Sequence, residues 1–253
     1  MPFDIVTVPC LSDNYAYLIH KDGQTALVDA PEAAPIQAEL DRRGWSLDEI
    51  WITHHHGDHI DGVDTLRAAH GAKVRGNTAD SGRLPALDAP VEDGESFEFA
   101  GSQVSVMDVS GHTIGHIAFY ISDAGAAFTA DSLMALGCGR VFEGTMDQMW
   151  ASLLKLAALP DDTQVYSGHE YTKANARFAV TIEPDNADLM SRIEQINLAR
   201  AAGEPTVPAR LSLEKATNPF LRAGLSRVKS SLNMSTESDA EVFAEIRRRK
   251  DSF

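Results

Sequence analysis

The sequence predicts an α/β fold that changes to a helical segment near residue 170. Up to that point, short apolar runs that suit buried strands alternate with stretches of helical periodicity. Histidine or aspartate directly follows several of these strands, which is where loops commonly carry chemistry. Beyond residue 171 the pattern is helical and no strand is convincing. We therefore predict two parts, an α/β domain over residues 1–170 and a helical domain over residues 171–253.

The bulk composition is typical of a globular cytoplasmic protein. The chain has 253 residues, of which 43% are hydrophobic, and this is enough for one or two domains. Its longest apolar runs are too short to cross a membrane, and its N-terminus lacks the pattern of a signal peptide. Only two cysteines are present, Cys10 and Cys138, so a disulfide framework is excluded and two reduced thiols are expected.

The net charge of −15 disfavours nucleic acid and anionic membranes as partners. The acidity is unevenly distributed along the chain. Residues 1–171 contain 9 Lys and Arg against 26 Asp and Glu, whereas residues 172–253 contain 13 against 11. This asymmetry indicates different roles for the two predicted parts.

The N-terminal residues predict a strand and then a hairpin, because alternating apolar residues surround the turn sequence Asp22-Gly23. A helix with Pro35 in its first turn ends at Gly44, and a buried strand follows. The predicted elements are strands Phe3–Val8, Tyr15–Ile19 and Thr25–Asp29, helix Ala34–Arg43, and strand Glu49–Thr53.

The middle of the chain predicts a helix closed by Gly71 and then mostly strands, with a loop-rich stretch over residues 77–93. The predicted elements are helix Asp61–His70 and strands Lys73–Arg75, Ser96–Phe99, Gln103–Val109, Ile117–Ile121 and Ala126–Thr129.

A capping box at Thr145 and Gln148 begins the next helix, and Pro160 follows its end. After one more strand the chain is helical, apart from a loop-rich stretch over residues 204–233. The predicted elements are helix Thr145–Leu159, strand Thr163–Ser167, and helices Tyr171–Val180, Asn186–Ala202 and Ser235–Asp251.

A histidine-rich motif, Thr53-His54-His55-His56-Gly57-Asp58-His59, begins where the strand Glu49–Thr53 ends. Side chains two residues apart in an extended segment point the same way, so His54 and His56 converge while His55 faces away. Asp58 and His59 add a carboxylate and another imidazole on the following turn. Imidazole and carboxylate are ligands for a borderline metal such as Zn²⁺, and this density of ligands disfavours a merely solvated loop.

Three later strand ends carry further candidate ligands, His112, Asp131 and His169. Asp131 could also act as a simple turn former, but it is the third strand end of this kind. Similarly, Asp29 is either a turn carboxylate or an acceptor behind a ligand histidine, and the sequence favours neither. The predicted metal ligands are His54, His56, Asp58, His59, His112, Asp131 and His169.

Seven ligands are too many for one open zinc site, which takes three, but they suit two ions that share one ligand. Only a carboxylate readily bridges two metals, so one aspartate should bridge, and we predict Asp58 and Asp131 as catalytic residues. Two such ions lower the pKa of a shared water to about 7 and so generate hydroxide at neutral pH. The chain lacks the nucleophile elbow, phosphate loop and dinucleotide motif that would indicate other chemistry. We predict two divalent ions, zinc first, although the same ligands accept iron or manganese.

The motif T-H-x-H-x-D-H at residues 53–59, with the three later ligands, resembles that of the metallo-β-lactamase superfamily. This resemblance implies an αββα metallo-β-lactamase-like sandwich over residues 1–170, with the metals at one edge between two mixed sheets. Within the superfamily the chain resembles the glyoxalase II (hydroxyacylglutathione hydrolase) family. Four stretches carry this resemblance: G-H-T-I-G-H at 111–116, G-C-G-R-V-F-E-G-T at 137–145, G-H-E-Y-T at 168–172 and I-R-R-R-K-D at 246–251.

The resemblance implies a role for each candidate residue. His54, His56 and His112 would hold one ion, Asp58, His59 and His169 the other, and Asp131 would bridge them. Residues 171–253 would form a glutathione-binding domain, and the implied substrate contacts are Arg140, Phe142, His169, Tyr171, Arg247 and Lys250. Animal members resemble this chain but have Lys and Tyr at the first two of these positions. The arginine keeps the charge and adds a fork suited to a carboxylate, whereas the phenylalanine lacks a hydroxyl.

The implied substrate is S-(2-hydroxyacyl)glutathione, a small molecule with two carboxylates, which an acidic protein would repel unless basic groups lie near the site. The basic run at residues 247–250 could supply them, but cations that offset a helix dipole would also explain it. The expected reaction is attack of metal-generated hydroxide on the thioester carbonyl, which releases glutathione and D-lactate and so detoxifies methylglyoxal. The alternatives are another superfamily enzyme, such as a lactonase or an iron-dependent persulfide dioxygenase. We expect a monomer.

Overall fold

The computed structural model describes residues 2–253 and divides into two compact units. The first unit contains the residues up to Asp108 together with Thr113–Phe128. The second contains Val109–His112 and Thr129–Phe253. The predicted boundary between an α/β domain over residues 1–170 and a helical domain over residues 171–253 remains a prediction.

The first unit contains a mixed six-stranded sheet with the order β1-β2-β3-β4-β5-β6. Its first three strands are antiparallel and its last three continue in parallel. The predicted hairpin joins β2 to β3, and its turn residues Asp22 and Gly23 have φ of +51° and +82°, as a type I′ turn requires. The strands are β1 (Asp4–Cys10), β2 (Asn14–Lys21), β3 (Gln24–Val28), β4 (Glu49–Trp51), β5 (Lys73–Asn77) and β6 (Ala89–Val91).

A second, antiparallel sheet of the first unit packs against the first sheet through aromatic side chains. The Trp51 ring lies 5.1 Å from the ring of Phe97 and 5.2 Å from that of Phe99. The sheet has six strands, of which the four that pair antiparallel here are β7 (Ser96–Phe99), β8 (Ser102–Asp108), β9 (Ile117–Ile121) and β10 (Ala126–Ala130). Strand β10 ends in the second unit. The edge strand β6 was not predicted. Pro90 is tolerated at the edge of a sheet, but a proline in the sequence argues against a strand.

The helices of the first unit cover the outer face of the mixed sheet. Ile36 and Leu40 of one helix and Val63 and Leu66 of another are buried in the same core as the sheet residues. The helices are α1 (Ala33–Arg43), α2 (Gly57–Ile60) and α3 (Val63–His70), with short 3₁₀ turns at Thr78–Asp80 and Ser122–Ala124. Burial raises the pKa of the Cys10 thiol, which is a free cysteine, to about 12.

The second unit is mostly helical. Its strands are β11 (Leu133–Met134), β12 (Gly137–Cys138), β13 (Gln164–Ser167) and β14 (Ala209–Arg210). Its helices are α4 (Met146–Ala157), α5 (Thr172–Ile182), α6 (Ala187–Ala201), α7 (Leu211–Thr217), α8 (Ser226–Ser231) and α9 (Asp239–Asp251). The capping box at Thr145 is formed as predicted. Within residues 2–253, none of the helices is long and apolar enough to cross a membrane.

The prediction that no strand follows residue 171 is wrong at β14, and the stretch 204–233 is less irregular than predicted. The two residues of β14 pair antiparallel with β13, Gln164 opposite Arg210 and Val165 opposite Ala209. Two residues are too few to show strand periodicity. The same stretch also contains α7 and α8, which are shorter than a reliable helical pattern requires.

Candidate metal centre

Asp29, directly after β3, organises the histidine motif of the first unit. Its backbone φ is +56°, a left-handed conformation that few residues other than glycine, asparagine and aspartate adopt. The Thr53 backbone N–H and the Thr53 hydroxyl each donate to its buried carboxylate at 2.8 Å. Because the hydroxyl proton points to Asp29, the Thr53 oxygen accepts from His54 Nδ1 at 3.0 Å. His54 therefore presents Nε2 as its lone-pair nitrogen.

The same carboxylate also fixes His59. His59 Nδ1 donates to Asp29 Oδ2 at 2.7 Å, so its Nε2 carries the lone pair. Next to it, Asp58 Oδ2 lies 3.8 Å from His59 Nε2 and accepts from Asn14 Nδ2 at 3.0 Å. Of the two roles left open for Asp29, these contacts correspond to the acceptor behind a ligand histidine.

His54 and His56 face each other, and the residue between them is held by a different partner. His54 Nε2 lies 3.2 Å from His56 Nδ1, so the two side chains present nitrogen atoms to one point. His55 instead donates from Nδ1 to Asp80 Oδ2 at 3.1 Å. The structure thus brings four predicted ligands of the first unit together, His54, His56, Asp58 and His59.

In the second unit one carboxylate oxygen faces two imidazoles. Asp131 Oδ2 lies 3.4 Å from His112 Nε2 and 3.3 Å from His169 Nε2. His112 Nδ1 donates to the carbonyl oxygen of Arg140 at 2.7 Å, which leaves its Nε2 as the lone-pair nitrogen. The three predicted ligands of this unit are therefore adjacent, and a shared carboxylate oxygen between two imidazoles is the arrangement that a bridging ligand needs.

The backbone around Asp131 is unusual in two ways. Ala130, the last residue of β10, has a φ of +40°, which is strained for an alanine. Gly139 passes so close that a Cβ there would lie 1.9 Å from the Asp131 carbonyl oxygen and 3.1 Å from His112 Nδ1. Only glycine fits at this position, so Gly139 is required for Asp131 and His112 to lie together.

Arg247, predicted as a substrate contact or a helix-end cation, is an interior residue of the second unit. It is 5% exposed, and its Nη1 donates to the carbonyl oxygen of Cys138 at 2.8 Å. Its Nε and Nη2 donate to Asp251 Oδ1 at 3.1 and 2.8 Å. Arg140 Nε also donates to Asp251 Oδ1, at 3.2 Å, although the Arg140 side chain is half exposed. A helix-dipole role alone does not account for these contacts.

The other predicted substrate contacts of this unit combine exposed aromatic rings with a half-buried cation. Phe142 is 60% exposed with its ring 5.2 Å from that of His112, and the partly exposed Tyr171 stacks on His169 at 4.6 Å. Lys250 Nζ lies 5.4 Å from the ring centroid of Phe178. Burial lowers the pKa of Lys250, and the positive charges of Arg247 and Arg177 lower it further.

Comparisons with known proteins identify the family of the chain. A family model described as the metallo-β-lactamase superfamily matches residues 12–169, and one described as the hydroxyacylglutathione hydrolase C-terminus matches residues 170–253. Proteins named hydroxyacylglutathione hydrolase from Roseobacter denitrificans and Ruegeria pomeroyi are each 65% identical to the chain, with all of both sequences covered. The chain belongs to the hydroxyacylglutathione hydrolase family. This membership supports the main prediction and not the lactonase or dioxygenase alternative.

The structure of ETHE1 from Myxococcus xanthus is similar to that of this family member, with a TM-score of 0.67 and 24% identity over 100% of this chain and 99% of that one. Identity at this level reflects the fold alone. Together with the superfamily model, it confirms the predicted α/β metallo-β-lactamase-like fold with a helical C-terminal part.

The donor chemistry of this hydroxyacylglutathione hydrolase family member fits divalent metal ions. All of the predicted ligands are imidazoles or carboxylates, and His54, His59 and His112 each have their Nδ1 proton directed to a protein acceptor.

Several supporting residues were not predicted from the sequence. Asn14 bonds Asp58 from 44 residues away, Asp80 bonds His55, and Asp251, which bonds Arg247, also bonds Arg140 from 111 residues away. No local pattern signals such long-range contacts. Gly139 is the exception, because two glycines that flank Cys138 could have indicated a close backbone approach.

Proposed function

We propose that this protein hydrolyses the thioester bond of S-(2-hydroxyacyl)glutathione, with S-D-lactoylglutathione as substrate and glutathione and D-lactate as products. Such an activity would contribute to the removal of methylglyoxal. The observation that carries the proposal is the full-length match, at 65% identity, to relatives named hydroxyacylglutathione hydrolase.

The seven donors would hold two divalent ions, zinc before iron or manganese. His54, His56 and His112 would bind one ion, Asp58, His59 and His169 the other, and Asp131 would bridge them. The position of one Asp131 oxygen between two imidazole nitrogens supports the bridging role. When bound, such ions supply an activated water at neutral pH and polarise the scissile carbonyl. On this proposal Asp58 and Asp131 are catalytic because they hold those ions.

The second unit would bind the glutathione moiety. Arg140, Arg247 and Lys250 provide positive charge for the two carboxylates of the substrate, and the fork of an arginine suits such a group. The exposed faces of Phe142 and Tyr171 would contact the peptide next to the ligands His112 and His169. Phe142 offers no hydroxyl, so the substrate would be held there through apolar contact.

The leaving group places little demand on the protein. A thiol has a pKa near 8.5, so the thiolate of glutathione departs without a proton from the enzyme. The chain therefore needs groups that position the thioester and hold the ions, and a dedicated general acid is not required.

The test is steady-state hydrolysis by protein of known metal content, with S-D-lactoylglutathione, a lactone and a β-lactam compared side by side. We expect turnover of the thioester alone, with close to two metal ions per chain. Replacement of Lys250 by alanine is the matched control for the substrate site, because it should raise KM while the metal content stays unchanged. A lactone or β-lactam hydrolysed faster than the thioester would overturn the proposal.

We also propose an oligomeric state and a cellular location. A monomer in the cytoplasm, without nucleic acid or membrane as partner, agrees with the acidic composition. Analytical ultracentrifugation of the purified protein tests the oligomeric state, because a stable dimer would have twice the molar mass of the chain.

A further inference from the structure

His55 is the one histidine of the motif that was predicted to face away from the metals, and its ring is nevertheless fixed. Its Nδ1 donates to Asp80 Oδ2 at 3.1 Å, and Arg83 Nη1 donates to its Nε2 at 3.3 Å. Arg83 Nε also donates to Asp80 Oδ1, at 2.5 Å. The three side chains therefore form a closed ring of hydrogen bonds, which we call the His55 cluster.

The hydrogen-bond partners define the form of the imidazole. A guanidinium group only donates, so His55 Nε2 must be the accepting nitrogen and the proton must lie on Nδ1, towards Asp80. A neutral ring with one defined tautomer and two partners has a single preferred orientation. His55 thus has a hydrogen-bond partner at each of its two ring nitrogens.

Asp80 itself is buried and closely packed. Its side chain is 3% exposed, and it ends the 3₁₀ turn Thr78–Asp80. Asn77 caps that turn by accepting from the Ala79 N–H at 3.0 Å, and its Nδ2 donates to the Gly115 carbonyl at 3.0 Å. A Cβ at Gly115 would lie 2.5 Å from Asp80 Cβ, so the backbone of the neighbouring loop closes directly over this carboxylate.

We propose that Asp80 is a positioning residue for the metal ligands His54 and His56. Successive side chains of an extended segment point to opposite sides of the backbone. Hydrogen bonds that hold His55 on one side therefore help to keep the side chains of His54 and His56 on the other. Asp29 contacts His54 indirectly, through the Thr53 hydroxyl, and accepts a hydrogen bond from His59 Nδ1. Asp80 instead bonds His55, the residue between His54 and His56. The motif is therefore held by one carboxylate behind the ligands and another on the far side. This inference rests on the metal role proposed above.

The test measures zinc binding without substrate, so its outcome is independent of whether the thioester is hydrolysed. Asp80→Ala and His55→Ala are each titrated with Zn²⁺, and the rate of zinc loss to a chelator is recorded. We expect each substitution to weaken zinc binding by up to about 10-fold, the lower end of the range for removal of a group that bonds a ligand directly, because Asp80 and His55 act on the ligands only through the backbone. Asp80→Asn keeps one acceptor oxygen for His55 and should restore part of the affinity.

A double-mutant cycle separates positioning from general damage. If Asp80 acts through His55, adding Asp80→Ala to His55→Ala causes no further loss of zinc affinity. Asp88→Ala is the matched control, because Asp88 also bonds an arginine and a backbone N–H of the first unit, and it should bind zinc as the wild type does. Should Asp80→Ala fail to fold, His55→Ala alone decides the question. Wild-type zinc affinity in His55→Ala, or additive losses in the cycle, would overturn the proposal.

Discussion

The two units present their candidate ligands in different ways. In the first unit four ligands lie within six residues of the chain, and one buried carboxylate, Asp29, fixes the ring orientation of two of them. In the second unit three ligands come from three separate segments, and the backbone positions two of them: the Arg140 carbonyl oxygen accepts from His112, and the strained Ala130 precedes Asp131. The first arrangement depends on side chains that mutation can remove, whereas the second depends on the path of the chain.

The two units also differ in their predicted substrate contacts. The second unit contains all of the predicted substrate contacts in addition to its three ligands, and Arg140 contributes to both because its carbonyl oxygen holds a ligand while its guanidinium remains half exposed. Substitutions in the first unit should therefore change metal binding, and those in the second should change metal binding, KM or both. Four predictions test this division, from the largest expected effect to the smallest.

Replacing Asp131 by alanine should have the largest effect. One Asp131 carboxylate oxygen lies near the imidazoles of His112 and His169, so its loss should weaken the binding of both proposed metal ions. We expect activity to fall by more than the ~10- to 100-fold that is typical for residues behind the ligands. Elemental analysis beside the activity assay provides the measurement. A variant that retained two ions and normal turnover would show that Asp131 is a turn former and not a bridge.

Asp29→Asn should be the most damaging substitution of a residue that is not itself a ligand. The amide oxygen can accept from Thr53 N–H, but its NH₂ then faces His59 and drives the His59 proton from Nδ1 to Nε2, the lone-pair position. We expect metal affinity to fall about 10- to 100-fold, with KM little changed once zinc is saturating. Titration with Zn²⁺ measures the first quantity, and kinetics at excess zinc measure the second. A change confined to KM would contradict the division between the units.

Replacing Arg247 by alanine tests whether the second unit binds substrate with a residue that also supports its fold. The guanidinium is buried and bonds both the Cys138 carbonyl and Asp251. Its loss should lower the free energy of unfolding by about 2 kcal/mol, as expected for a charged hydrogen-bonding group, and should raise KM more than it lowers kcat. Denaturant unfolding and steady-state kinetics together provide the measurement. Lower stability with an unchanged KM would leave Arg247 with a structural role alone.

The contrast between the units also explains how much could be predicted from the sequence. The motif at residues 53–59 was recognisable because its ligands are neighbours in the chain, and His112, Asp131 and His169 because each follows an apolar strand. Contacts such as His55 with Asp80, or Arg247 with Cys138, join residues 25 and 109 positions apart. Such pairs depend on the tertiary structure, and neither hydrophobic periodicity nor a local motif encodes them. The interior position of Arg247 was missed for this reason.

Replacing Lys250 by arginine should give the smallest effect, one that is visible only at alkaline pH. Burial and the charges of Arg247 and Arg177 lower its pKa below the 10.5 of an unperturbed lysine, and the opposing influence of Asp251 is smaller. The ammonium that would bind a substrate carboxylate is therefore lost as the pH rises through this lowered pKa. The free energy of unfolding changes in the opposite direction: it increases as Lys250 loses its proton, because a lysine with a lowered pKa disfavours the folded state while it is charged.

We expect kcat/KM of the wild type to fall at alkaline pH. Lys250→Arg should lack that fall because arginine stays charged. The measurement is kcat/KM against pH for both proteins at equal metal content. An identical alkaline fall in the two would assign the titration to another group, and substrate binding in the second unit would then rest on Arg140 and Arg247.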